Sequence, residues 1–262
     1  MDLNLQNRVV LITGSSRGIG KGIAEVFLRE GARVVLTGRS ETRLDKTVSG
    51  FFEQFGEKQI FRFPGDLNQM PVLEKLKTFI KQEVKALDHL VCNIGSGRSV
   101  PPLQEDRHEF QRMLDINLIG AVGIVRRMMP LLEESAVQGN SGTSITFIGS
   151  ICGVEVLGCP VAYASAKSAL DSYAKNIARP LGRKGIRVNI VSPGNILFPG
   201  SVWEEKMKED QDRVQAMLDR DVPLNRLGTV EEIGNVVAFL ASRCARFVNG
   251  ANWVIDGGQT RR

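Results

Sequence analysis

Two periodicities alternate along this chain, and that alternation constrains its fold more than any other feature. Short β-branched runs recur at Arg8 to Thr13 (RVVLIT), Ala32 to Thr37, Gln59 to Phe63, Asp88 to Cys92, Ser144 to Gly149, Ile186 to Ser192 and Ala251 to Asp256. Between them lie amphipathic stretches of helical length: Ile19 to Glu30, Glu41 to Phe55, Pro71 to Lys85, Glu105 to Leu132, Val161 to Gly182 and Val230 to Ala241. Strands joined by helices of this length are long-crossover neighbours, so they pair in parallel rather than as hairpins. The sequence therefore predicts an α/β, doubly wound architecture: a seven-stranded parallel sheet with helices on both faces. Gly31, Gly56 and Gly185 fall where helix ends call for a left-handed residue.

Nothing interrupts this pattern from residue 1 to 262: there is no low-complexity linker, repeat or composition break, and one domain is expected. The irregular exception is Asn195 to Leu227, rich in charge and carrying Trp203, Met207 and Met217. It follows the sixth strand at the carboxyl end of the sheet, where open α/β folds place their ligands, and reads as a lid over substrate. The alternative is a surface helical excursion packed by its Met and Trp residues. A net charge of +5 with pI near 9.1 raises nucleic acid as a partner. Against it, the basic residues are scattered, with only isolated pairs such as Arg126-Arg127 and Arg261-Arg262, and aromatics make up just 6% of the chain, so no nucleic-acid partner is expected. No apolar run approaches the ~20 residues of a membrane span, and no membrane partner is expected. Cys92, Cys152, Cys159 and Cys244 form no C-x-x-C pair and have no neighbouring histidine. That argues against a metal site and suits a reducing cytoplasm.

TGSSRGIG (Thr13 to Gly20) follows the first strand directly and opens a helix. Gly14, Gly18 and Gly20 remove Cβ atoms where a backbone must turn, approach a pyrophosphate and pack on the sheet, while the helix N-terminus offers free N–H groups to the anion. Where an acidic residue would hold an adenosine ribose at the end of the second strand, this chain has Gly38 and Arg39. Arg39 and Arg17 together suit a 2′-phosphate, so NADP(H) is favoured, with NAD(H) the alternative. Asp66 in GDL is a candidate for the adenine amino group, or equally a cap for the segment that follows.

YASAK sets Tyr163 and Lys167 four apart on one helix face. A phenol near pKa 10 is a poor proton carrier at neutral pH, and a neighbouring ammonium with a positive nicotinamide ring would favour its ionised form. Ser150 ends the fifth strand thirteen residues before Tyr163, so its hydroxyl and the helix face can meet above the sheet. Asn117 lies within the long fourth helical stretch, where an asparagine ordinarily costs stability.

With these markers in order, the chain resembles the short-chain dehydrogenase/reductase family over essentially its whole length. The further points of resemblance are the turn at Asn93 and Gly95, Pro193-Gly194, and VIDGG at 254 to 258. The resemblance implies a Rossmann fold and direct hydride transfer between a nicotinamide and a small-molecule carbonyl or alcohol. It implies Tyr163 as general acid, Ser150 as holder of the substrate oxygen, and Lys167 on the nicotinamide ribose lowering the tyrosine pKa. Asn117 would anchor a water in the proton relay. Carried over to the cofactor are Gly14, Ser16, Arg17, Gly18, Ile19, Gly20, Arg39, Asp66, Leu67, Asn93, Gly95, Tyr163, Lys167, Pro193, Gly194 and Ile196. A cytoplasmic homotetramer is implied as well. The likeness is strongest to 3-oxoacyl-carrier-protein reductases and to polyol or keto-sugar enzymes, with a non-catalytic dinucleotide sensor the remaining alternative. The chain departs from the family in three places: Cys92 and Ile94 alter the asparagine turn, Phe198 stands near the place of a carboxamide-holding threonine with Ser201 as a substitute, and an acidic loop (Glu133 to Thr143) argues against an acidic carrier. Cys152 and Cys159 flank the expected substrate mouth as small apolar liners, with a redox role the other reading.

Overall fold

The computed structural model describes residues 1–138 and 142–261; residues 139–141 of the acidic loop and Arg262 of the terminal basic pair lie outside the described residues. The first half alternates β1 (Val9–Ile12), α1 (Gly18–Arg29), β2 (Arg33–Gly38), α2 (Glu41–Phe55), β3 (Ile60–Pro64), α3 (Met70–Phe79) and β4 (His89–Cys92). The second runs through α4 (Arg107–Leu114), α5 (Gly120–Val137), β5 (Ser144–Ile148), α6 (Val161–Gly182) and β6 (Arg187–Pro193). After β6 come β7 (Ile196–Leu197), α7 (Val202–Glu209), α8 (Gln211–Asp221), β8 (Gly228–Thr229), α9 (Val230–Ala241) and β9 (Asn252–Ile255). All seven expected strands form one sheet in the order β3-β2-β1-β4-β5-β6-β9, with every pairing parallel.

Side-chain alternation along a strand builds the two sides of the core. In β1, Val9 and Leu11 enter the cluster formed with Leu73 and Leu76 of α3, Ile124 and Met128 of α5 and Leu170 of α6. Val10 and Ile12 face the opposite cluster, with Ile23 and Phe27 of α1, Leu44 of α2 and Val237 of α9. Being buried on both faces makes the strands uniformly apolar, which is why they read as runs. The chain order reverses between β1 and β4, leaving a crevice at the carboxyl ends of these strands.

Two segments differ from the sequence reading, and a third, Asn195 to Leu227, takes the helical form that was its alternative. The helix expected at Glu105 to Leu132 is two helices joined by a π-helical turn, Asp115–Ile119, and it runs on to Val137. The helix expected at Pro71 to Lys85 also ends in a π turn, Ile80–Val84, stopped by Lys85 at φ 68°. Asn195 to Leu227 is ordered: Val214, Leu218 and Val222 form a small core of their own, packed by Trp203, Met207, Met217 and Leu227. Gly31, Gly56 and Gly185 take the expected positive φ. Among the described residues, no helix is long and apolar enough to cross a membrane.

Candidate active site

The crevice begins at the glycine loop. α1 starts without a side-chain cap at Arg17 and without an acid in its first turn, so its leading N–H groups and positive dipole end are uncommitted. The loop is clamped to β4 by Asn93, whose Nδ2 donates to the Thr13 and Gly14 carbonyls at 3.0 and 3.1 Å, while its backbone N–H donates to Thr13 Oγ1. A Cβ on Gly20 would stand 2.5 Å from both Asn93 Nδ2 and the Gly14 carbonyl, so only glycine lets this turn close. An uncapped helix end facing a backbone strip stripped of side chains fits a dinucleotide pyrophosphate.

The remaining cofactor candidates divide. Gly14, Arg17, Gly18, Ile19, Asn93, Gly95, Pro193, Gly194 and Ile196 line one groove of about 330 Å³, together with Ser150, Tyr163 and Lys167. Ser16 packs beside Gly38, where a Cβ would lie 2.9 Å from its Oγ. Arg39 is exposed at the end of β2, and neither it nor Arg17 makes an ion pair among the described residues. A Cβ on Gly200, across the groove, would stand 3.5 Å from Arg17 Nη1. Asp66 accepts from the Asn68 N–H at 3.1 Å in the turn ahead of α3, and Leu67 is buried in the core.

The catalytic candidates do converge. Ser150 leaves β5 in extended backbone, its hydroxyl accepting from the Cys152 N–H at 3.2 Å and bonding Tyr163. Lys167, one turn beyond Tyr163 on α6, is buried and donates to the Ile148 carbonyl at 2.8 Å; its Nζ lies 6.0 Å from the Tyr163 ring centre. Burial lowers the Lys167 ammonium to about 8. Burial raises the Tyr163 phenol above its ordinary value, and the Ser150 hydrogen bond opposes that only in part. Of these two influences on Tyr163, its own desolvation is the larger.

Asn117 sits in the π turn and is fully buried. Its Nδ2 donates to the carbonyls of Met113 and Ser96, and its Oδ1 accepts from the Ser96 N–H. The Met113 carbonyl is the acceptor that the residue-117 amide would take in a regular α-helix, so the side chain repairs the widened turn while tethering the loop after β4. A Cβ on Gly95 would stand 2.8 Å from Asn117 Oδ1 and 3.1 Å from Lys167 Nζ, so glycine lets the loop pass over both.

Beyond Tyr163 the groove opens into a cavity of about 810 Å³; both share Gly97, Ser150, Tyr163, Gly194, Val202 and Trp203. Trp203 and Met217 line this cavity, so the ordered excursion both packs on itself and walls the site. Arg98, in the loop after β4, reaches Glu205 of α7 at 2.6 Å. Periodicity carried no signal for that pair, because it joins segments a hundred residues apart. Phe198 crosses the groove: its ring would stand 2.7 Å from a Cβ on Gly18. Ser201 is committed to local structure, its hydroxyl accepting from the Phe198 and Glu204 N–H groups.

The cysteine reading needs correction. Cys152 and Cys159 line the cavity as expected but are bonded to each other, with Cα atoms 6.2 Å apart. No motif announces a seven-residue spacing; the turn between Ser150 and α6 brings the sulfurs together. Only Cys92 and Cys244 remain free, which removes half of the cysteine argument for a reducing compartment. No group of three His, Cys, Asp or Glu side chains suited to a metal occurs among the described residues.

Residues 14–260 match a family model described as Enoyl-(Acyl carrier protein) reductase. The chain is 32% identical over 256 residues to the 3-oxoacyl-(acyl-carrier-protein) reductase of Escherichia coli, covering 98% of each chain. It is 31% identical over 260 residues to the L-fucose dehydrogenase of Mus musculus, covering 96% of this chain and 88% of that one. Among solved structures, L-sorbose reductase from Gluconobacter frateurii, complexed with NADPH and L-sorbose, superposes with a TM-score of 0.91 at 29% identity, over 100% of both chains. A 7α-hydroxysteroid dehydrogenase complexed with NADH and 7-oxo glycochenodeoxycholic acid gives 0.87 at 28% identity, over 100% of this chain and 97% of that one.

Proposed function

The chain belongs to the short-chain dehydrogenase/reductase family of oxidoreductases acting on CH–OH groups, and on that premise we propose an NADP(H)-dependent carbonyl reductase of small molecules with Tyr163 as its proton donor. One observation carries the reading: Ser150 and Tyr163 stand where the glycine-loop groove meets the large cavity, with Lys167 on the groove side. A nicotinamide dinucleotide, when bound, supplies or accepts the hydride. The chain does the rest. Gly14, Gly18 and Gly20 receive the pyrophosphate, and Lys167, fixed on the Ile148 carbonyl, is placed to hold the ribose. Ser150 donates to the substrate oxygen, and Tyr163, kept protonated by burial, delivers the phenolic proton to it. Asn117 acts through the loop it tethers, holding Ser96 and Gly97 against the site. The segment 195–227 is the lid, with Trp203 on its inner face.

Arg39 and Arg17 support the 2′-phosphate assignment by charge and by the missing carboxylate after β2. Fluorescence titration of NADPH and NADH on the wild type and on Arg39→Ala tests it. The expected result is tighter NADPH binding whose advantage collapses at least tenfold in the variant. Equal or tighter NADH binding to the wild type overturns it and favours NAD-dependent oxidation of an alcohol or polyol, the cofactor state of the hydroxysteroid relative. Homotetramer formation belongs to the same proposal. It is supported by β9, a half-exposed strand at the end of the sheet, and by the fully exposed Phe247. A monomeric mass in sedimentation equilibrium would exclude it. The cytoplasmic location rests now on Cys92 and Cys244 alone.

A further inference from the structure

The segment joining Ser150 to Tyr163 is held very unequally at its two ends. At the first, the Cys152 N–H donates to Ser150 Oγ, and Gly153 lies so close to α6 that a Cβ would stand 2.8 Å from the Lys167 carbonyl carbon. Ser168 Oγ also donates to the Gly153 carbonyl at 2.8 Å, and Glu155 accepts from the Arg261 N–H at 2.9 Å. From Val156 to Cys159 no hydrogen bond to any described residue holds the chain; Val156 is 98% exposed and Gly158 sits at φ 71° with open space around it. This loose stretch nevertheless walls the substrate cavity through Leu157, Gly158 and Cys159. Its tether is the Cys152–Cys159 bond.

We propose that Cys152 and Cys159 are a thiol–disulfide exchange site for a small disulfide of the glutathione class, and that the bond's state sets how firmly the cavity wall holds substrate. Both residues are half-buried on the cavity side, within reach of a solute that enters it. In the oxidising direction, one cysteine thiolate attacks a sulfur of glutathione disulfide. That S–S bond breaks, one glutathione leaves as thiolate and takes up the proton that the cysteine lost, and a mixed disulfide forms. The second cysteine thiolate attacks the protein sulfur of the mixed disulfide, and the second glutathione departs and is protonated in turn. Two electrons pass from the pair to glutathione disulfide, and two protons end on the released thiols. With the bond formed, residues 156–159 are pinned to the turn that carries Ser150; with it broken, they are free to move away from the cavity.

The experiment uses the full chain with Cys244→Ser, which removes the exposed cysteine, equilibrated in buffers of varied glutathione to glutathione disulfide ratio. After denaturation and alkylation it should titrate as three thiols when reduced and one when oxidised. Amide hydrogen exchange at 152–155, whose N–H groups bond Ser150 and Ile151, should quicken at least tenfold on reduction while β1 and β5 stay unchanged. KM for a carbonyl compound turned over with NADPH should rise at least fivefold with kcat within twofold, and Cys159→Ser should hold the reduced values at every ratio. A pair that stays as thiols across all ratios overturns the proposal, as does a bond that forms without changing either exchange or KM. Only the KM arm rests on the carbonyl-reductase reading. Absence of any turnover would count against that reading, while thiol titration and amide exchange still decide the proposal made here.

Discussion

The two walls of the crevice are built differently. The cofactor side is made of strand ends, a helix start and backbone approaches so tight that a single added carbon at Gly20 meets two neighbours at 2.5 Å. The substrate side is made of the turn 151–160 and the excursion 195–227, which rests on a three-residue core of its own. A wall tied into the main core has few ways to change without losing the fold, whereas a wall with its own small core can be rebuilt while the sheet stays intact. In the proposed function, the first wall positions the chemistry and the second selects what reaches it.

Substitutions on the two walls should therefore fail in different ways. The largest effect belongs at their junction: Tyr163→Phe should lower turnover about a thousandfold, about 4 kcal/mol of barrier. NADPH affinity should stay within threefold; steady-state NADPH oxidation and fluorescence titration check the two halves, and unchanged turnover would sink the proton-donor assignment. Away from both walls, at the amino end of β4, His89 is buried with its Nε2 unpartnered, and burial lowers it to about 4. Between about 6.5 and about 4 the unfolded chain takes up a proton that the folded chain refuses. Stability should therefore fall as pH drops through that window, by up to about 3 kcal/mol. Urea unfolding from pH 7 to pH 4 measures this slope, and His89→Gln should flatten it.

Gly20→Ala should cost about 2 kcal/mol by overpacking the glycine loop, read as a lower Tm together with weaker NADPH binding. A variant as stable and as tightly bound as the wild type would mean that this wall is not rigid. The smallest effect is expected on the lid. Trp203→Ala should raise substrate KM about tenfold, about 1.4 kcal/mol, with NADPH affinity and Tm nearly unchanged. Loss of NADPH binding in that variant would erase the distinction between the walls.

The cofactor wall was legible because its requirements are local. Gly14, Gly18 and Gly20 after a strand, and Tyr163 four residues before Lys167, announce themselves through backbone geometry and helix periodicity. Asn117 was legible as a marker, but not as a residue inside a π turn whose own side chain replaces the missing backbone bond.

The sequence by itself determined the α/β class, the seven parallel strands, the glycine loop and the Ser150, Tyr163 and Lys167 set, because each follows from patterns within a few turns or one strand of chain. Only the tertiary structure decided that Cys152 meets Cys159, that Arg98 reaches Glu205, and that Trp203 and Tyr163 line one cavity. It also decided that Tyr163 and Lys167 are both buried, which raises the phenol and lowers the ammonium. These outcomes depend on distance and burial among segments far apart in sequence or set in irregular turns, and neither quantity is encoded in local periodicity.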